Sequence, residues 1–127
     1  MVKPVDLNKA LQSVTFLKGR TPQSDTSDTF ADLAVYRDSG LYVGGFSGLS
    51  PWERHPADEI VQVLQGSAIL SLDGGNDVEN VDLHAGMIAI VPENTWHQFE
   101  APEGVTLLTV TPQPTEHTDG LAPPSSR

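Results

Sequence analysis

The reading of this chain turns on Pro51–Gly66, PWERHPADEIVQVLQG. This stretch gathers Glu53, His55, Asp58 and Glu59, in a chain with only four histidines, directly ahead of a run of apolar strand-formers. Alternate side chains of a strand share a face, so Glu53 and His55 should project together with Arg54 turned away. Pro56 breaks that strand, and the next, EIVQVL, begins at Glu59. If Glu59 faces inward, then Val61 and Val63 do too and Gln62 points outward. A carboxylate is thereby set at the mouth of an otherwise apolar barrel face, beside Glu53 and His55. Left unpaired, such a buried charge costs roughly 3–5 kcal/mol, so something positive is expected between these groups, and a divalent cation meets the requirement. Asp58, next to Glu59, is expected to be solvated.

Outward from this stretch, the apolar residues come in short bursts: LAVYR, LYVGGFSG, EIVQVLQG, SAILSLDGG, MIAIVPEN, WHQFEAP and VTLLTVTP. Each is rich in Val, Ile, Leu or aromatics and bounded by Gly, Pro, Asn or Asp, the rhythm of an all-β sandwich or barrel. Asp38-Ser39-Gly40 and Asp73-Gly74-Gly75-Asn76-Asp77 read as hairpin turns. Helical spacing is confined to Val5–Leu11, too short to carry an architecture. Downstream, in GMIAIVPENTWHQF, Gly86 opens a strand, Pro92 and Asn94 make a turn, and His97 starts the following strand with Phe99 on its own face. His97 could close the site begun by the opening stretch.

The remaining candidates carry less. His84 precedes a turn and is expected to be exposed, and His117 lies near the C-terminus, where a disordered side chain is expected. Strand alternation turns Trp52 and Trp96 away from the site.

With 127 residues the chain is the size of one ordinary domain. Seventeen acidic residues against seven basic ones give a formal charge of −10, which repels a phosphate backbone or an anionic membrane surface and makes nucleic acid an improbable partner. Without cysteine there are no thiolate nucleophiles or thiolate ligands, so any metal site must be built from imidazole and carboxylate. The N-terminus has no long apolar region and no 18 apolar residues run together, so the expectation is a soluble, cytoplasmic protein without a membrane span. The expected division is an N-terminal arm over 1–28 with a possible short helix and edge strand, a barrel over 29–111, and a loose tail over 112–127. The tail, rich in Pro, Ser and Thr, offers little apolar surface to offset the entropy of ordering.

The two site-bearing segments together resemble the two sequence motifs of the cupin superfamily. The first family motif runs Gly, five residues, His-x-His, three or four residues, Glu, six residues, Gly. Glu53-Arg54-His55, three residues, Glu59, six residues and Gly66 follow it, with Gly48 four residues ahead and Glu53 in the first His position. The second runs Gly, five residues, Pro-x-Gly, two residues, His, three residues, Asn. Gly86, Pro92 and His97 match, while Asn94 and Ala101 replace the second Gly and the Asn. The resemblance covers about Val43 to Val110 and implies a small single-domain cupin, a jelly-roll type double-stranded β-helix with a metal held inside. It carries the ligand positions onto Glu53, His55, Glu59 and His97.

Such a set suits one divalent ion from among Mn, Fe, Co, Ni and Zn. Two functional classes follow by analogy with the family. In one the protein is a metal-dependent enzyme on a small carbonyl- or hydroxy-bearing substrate, dioxygenase-like or isomerase- or lyase-like. In the other it is a non-catalytic small-molecule binder or sensor. Glu53 has two roles open to it, a fourth ligand or a proton-transferring base beside the metal. A homodimer is expected, because small barrels leave edge strands to cover.

Overall fold

The computed structural model describes residues 2–124. A short helix α1 (Leu7–Gln12) is capped by Asp6, whose carboxylate accepts from the Lys9 amide. It is followed by β1 (Leu17–Arg20), β2 (Phe30–Tyr36), β3 (Ser39–Leu49), β4 (Trp52–Arg54) and β5 (Glu59–Asp73). The chain continues through β6 (Val78–His84), β7 (Ile88–Val91), β8 (His97–Pro112) and β9 (Glu116–Thr118). This is an all-β barrel, as the periodicity of the sequence requires. No helix among the described residues is long and apolar enough to cross a membrane.

Two long strands organise the barrel. β8 lies antiparallel between β3, from Ser39↔Pro112 to Leu49↔Glu100, and β5, from Ile60↔Val110 to Leu72↔His97. β5 also forms a hairpin with β6 and pairs with β7, while β2 and β1 extend the sheet beyond β3, β1 in parallel. Inward residues of β3, β5 and β8 meet in one core that includes Phe46, Val61, Val63, Leu70, Phe99, Val105 and Leu107. The alternation expected on β5 holds: Glu59, Val61 and Val63 are buried and Ile60 is exposed.

Three local expectations need correction. The bursts EIVQVLQG and SAILSLDGG are one strand, β5, and WHQFEAP and VTLLTVTP are likewise one, β8. Gly66 and Gly104 end nothing; both take positive φ where the strands bend, and a Cβ on Gly66 would collide with the Gly104 carbonyl. The register of β5 against β8 shifts on both sides of Gly66, so the glycine bends the long strand around the barrel instead of stopping it. The first hairpin turns at Arg37-Asp38, with Arg37 at φ 55°, and Gly40 already belongs to β3, paired with Val35.

The tail differs as well. Its first residues are not loose: β9 pairs with β4, Trp52↔Thr118 through Arg54↔Glu116, and the Arg54 guanidinium holds the Glu116 carboxylate at 2.9 Å. A segment poor in apolar residues is ordered here by backbone pairing to an otherwise open strand, a source of order that composition does not reveal. Of the expected tail, residues 125–127 lie outside the described residues, as does Met1 of the N-terminal arm.

Candidate metal centre

The end of β4, the start of β5 and the start of β8 come together at one end of the barrel. β4 meets β8 at the single rung Glu53↔His97, and Glu59 opens β5 opposite Val91 of β7. This brings His55, Glu59 and His97 together, all buried, with one ligand atom of each within 4.8 Å of the others. Glu59 Oε1 lies 3.4 Å from His55 Nε2 and 3.1 Å from His97 Nε2.

The outer atoms of the three residues are all engaged. His97 Nδ1 donates to the Thr95 carbonyl at 2.9 Å, an atom that can only accept. The Thr115 hydroxyl lies 3.0 Å from His55 Nδ1 and 3.3 Å from Gln113 Oε1. Thr111 donates to Glu59 Oε2 at 2.7 Å and, its proton spent, accepts from Thr109 at 2.8 Å. His97 thus carries a proton on Nδ1, and both imidazoles, held at Nδ1, turn Nε2 inward. His55 Nε2, His97 Nε2 and Glu59 Oε1 are left buried with no hydrogen-bond partner among the described residues. Lone pairs of two imidazoles set 3.1 and 3.4 Å from one carboxylate oxygen repel it unless a proton or a cation lies between them. The donor set fits a divalent transition metal ion, and the outer hydrogen bonds are those that orient ligating imidazoles and carboxylates.

Without an ion, protons must do the same work. Burial alone would raise the Glu59 carboxyl, but contact with His55 and His97 outweighs it and brings the pKa down to about 2. Burial would lower the His97 pKa, yet the Glu59 contact and the Thr95 carbonyl carry it above the ordinary histidine range. In metal-free protein the contact with Glu59 thus favours a proton on His97 Nε2, at the place the metal would take.

Glu53 stands apart from this set. Its side chain reaches the same cavity as His55, as strand parity requires, while Arg54 turns outward to Glu116 and to the Trp96 ring. Its carboxylate is half-buried and does not join the three converging ligand atoms. Burial, and secondarily the Glu59 charge, push its pKa up, with His97, Arg20 and His55 opposing. Trp52 is buried with its indole N–H toward the Leu121 carbonyl, and His84 and His117 are exposed. Asp58, also exposed, accepts from the Glu93 amide and so steadies the turn that precedes His97.

The cavity, about 320 Å³, is lined by Phe30, Phe46, Phe99 and Leu107 together with His55, Glu59 and Glu53. Among the contributors to its wall that the sequence did not single out are Arg20, Thr111 and Thr115. Thr111 shares strand parity on β8 with Leu107 and Thr109, which also line the cavity, and that alternation is a usable signal. Arg20 and Thr115 carry no motif and come from the segments before and after the two motifs.

The sequence profile of the Cupin domain matches residues 44–111. No curated protein matches the chain. Among solved structures, a cupin-2 domain containing protein from Shewanella frigidimarina is similar with a TM-score of 0.58 and 21% identity, over 67% of this chain and 80% of that one. Protein NMB1881 from Neisseria meningitidis gives a TM-score of 0.64 at 14% identity, over 87% of this chain and 100% of that one. The hydroquinone 1,2-dioxygenase PnpCD, solved with Cd2+ and 4-hydroxybenzonitrile, gives 0.54 at 18% identity, over 64% of this chain and 61% of that one. At such identities the structural likenesses speak for the fold alone. The matched profile spans more than half of the sequence, including both motif segments and all three converging ligands, and on that ground the chain belongs to the cupin superfamily.

Proposed function

We propose that the protein is a metal-dependent enzyme acting on a small organic substrate, with one divalent ion held by His55, Glu59 and His97. The observation that carries this reading is the convergence of three buried lone-pair atoms that no protein donor satisfies. Two imidazoles and a carboxylate suit Mn, Fe, Co, Ni or Zn. When bound, the ion would supply Lewis acidity toward a carbonyl or hydroxyl oxygen or, as iron, a centre for dioxygen chemistry.

The chain's own residues do the rest. The Thr95 carbonyl fixes the tautomer of His97, and Thr111 and Thr115 orient Glu59 and His55. The aromatic and leucine wall gives an apolar face to a cavity at the lower end of the 300–1,000 Å³ that ligand pockets span. For Glu53 we take the role of proton-transferring base over that of fourth ligand, supported by its place on the cavity wall outside the converging set. On this reading Glu53→Gln abolishes turnover with metal content unchanged, whereas a fourth ligand would lose metal affinity on Glu53→Ala.

The deciding experiment is metal analysis of untagged protein purified without chelators, followed by a screen of carbonyl- and hydroxy-bearing acids with and without O2. About one ion per chain with turnover is the expected result. An ion with saturable binding but no turnover would leave a ligand-binding or sensor barrel, and no metal uptake at all would remove the reading. We further propose a homodimer. Ile88 and Ile90 of the edge strand β7 are 62% and 61% exposed, beside Ile60 at 39% on the same sheet face, and a second copy would cover them.

A further inference from the structure

Arg20 enters the same cavity from β1, a strand that lies before the region matched by the family profile. Its side chain is buried, at 9% exposure, and its Nε has no hydrogen-bond partner among the described residues. None of the ion pairs formed among the described residues includes it; Glu53, the carboxylate whose field it feels, is outside contact range. The guanidinium lies instead over the Phe46 ring, 4.6 Å from its centroid, and near Phe30 at 5.6 Å. The ring contacts hold the cation without using its N–H groups, and a guanidinium free of hydrogen bonds can take a carboxylate through two parallel ones.

The placement is built into the barrel. Arg20 is in register with Gly48 of β3, and a Cβ at Gly48 would run into the Arg20 backbone. Gly48 also holds φ at +107°, which side-chain-bearing residues rarely adopt, so this position is kept open for β1 to dock. A buried cation without a counter-charge is unfavourable, and a protein of net charge −10 has carboxylates to spare for pairing it. Of the carboxylates on the same cavity, Asp32, Glu53 and Glu59, none lies within ion-pair distance of it.

We propose that Arg20 is the anion anchor of the cavity, and that the ligand is a small carboxylic acid with a flat or apolar body. Its carboxylate pairs with the Arg20 fork and its body lies along Phe30, Phe46 and Leu107. A second oxygen function at its other end reaches the His55, Glu59, His97 set; this last part rests on the metal reading above, whereas the anchor does not. The negative net charge slows the approach of such an acid, so its association speeds up with added salt even though the bound pair is itself an ion pair.

The test is ligand-observed NMR and calorimetry with three acids and their neutral amides: benzoate and benzamide, pyruvate and pyruvamide, salicylate and salicylamide. Each pair is run on chelator-treated and on Mn- or Zn-loaded protein. Wild type should bind at least one acid ten-fold or more tightly than its amide, already in the chelated state. Arg20→Met, which keeps a long side chain over Phe46, should lose that preference, and Arg20→Lys should retain part of it, with metal uptake equal to wild type in both. Should Arg20→Met fail to fold, Arg20→Lys against wild type decides, since a point charge cannot reproduce the two-point fork. No acid bound, or an acid preference that survives Arg20→Met, overturns the anchor. Acid binding that depends on Arg20 in a protein that takes up no metal would overturn the metal reading and leave the anchor standing.

Discussion

His55, Glu59 and His97 each have a hydrogen-bonded partner behind them; on the cavity that His55 and Glu59 line, Arg20 lies against two phenylalanine rings with its Nε unpaired. Both are buried polar groups, yet they are stabilised in opposite ways. The triad is oriented before any ligand arrives, each side chain held from behind so that only its inward atom is free. Arg20 is held by stacking and by the seat its strand finds on Gly48, which fixes position but leaves its charge to be met by something from outside. A rigid wall can define where a reacting atom sits, and a separate charge can define which molecule is admitted.

The comparison breaks most visibly at Glu59. Glu59→Ala removes the anionic member of the set and should cost more metal affinity than the 10–100-fold typical of changes behind the ligands, read by competition titration against a chelator. The anion preference assigned to Arg20 should survive it. Thr111→Val and Thr115→Val remove the supports and leave the ligands; each should weaken metal binding by about 10–100-fold, and an unchanged affinity would show that the ligands are oriented without them.

A smaller effect is expected on stability. Metal at a hundred times its dissociation constant should add roughly 2.7 kcal/mol to the folded state, a rise in melting temperature of roughly 5–15 °C for a chain of this size.

The pH profile should differ between the two forms. Glu59 has its folded pKa lowered to about 2, so its contribution is present above the unfolded carboxyl range and is lost as pH falls toward that value. His97 has its folded pKa raised, so its contribution is full below the unfolded value of about 6.5 and is lost as pH rises through the folded one. Metal-free protein should therefore be most stable between about pH 4.5 and 6.5. The metal-bound form should gain on it above that window, because the ion competes with the proton for Nε2. Melting curves from pH 4 to 9, with EDTA and with metal, check this; parallel profiles would show that no proton stands in for the metal.

The smallest change is expected at the tail clamp. Arg54→Ala removes an exposed pair with Glu116 and should alter stability by less than about 1 kcal/mol by denaturant melts.

What the sequence revealed follows from what local pattern can encode. The positions of His55, Glu59 and His97 are set by strand parity and by motif spacing, and the structure brings those three residues together. Parity also turned Glu53 toward the cavity, but no spacing rule says how far a carboxylate reaches, so its separation from the triad was not legible. Arg20 escaped notice because LKGR has no alternation to read and β1 meets β3 only through a distant parallel pairing. Thr115 was hidden for a different reason: its segment orders through backbone rungs to β4, and composition measures side chains. The strand breaks were overcounted because a glycine at positive φ looks the same in sequence whether it ends a strand or bends one.

The single rung between β4 and β8 also bears on kinetics. The three ligand atoms come from the end of β4, the start of β5 and the start of β8, and they meet only once β8 has closed against both neighbours. That closure joins residues as distant as Ser39 and Pro112, a late and slow event in a topology dominated by non-local pairing. An ion that binds only the closed barrel is absent from the folding transition state, so it should slow unfolding while leaving the refolding rate untouched. Stopped-flow measurements with and without metal should show one limb of the chevron move and the other stay, and the lifetime of the bound ion would then be tied to how often the barrel opens.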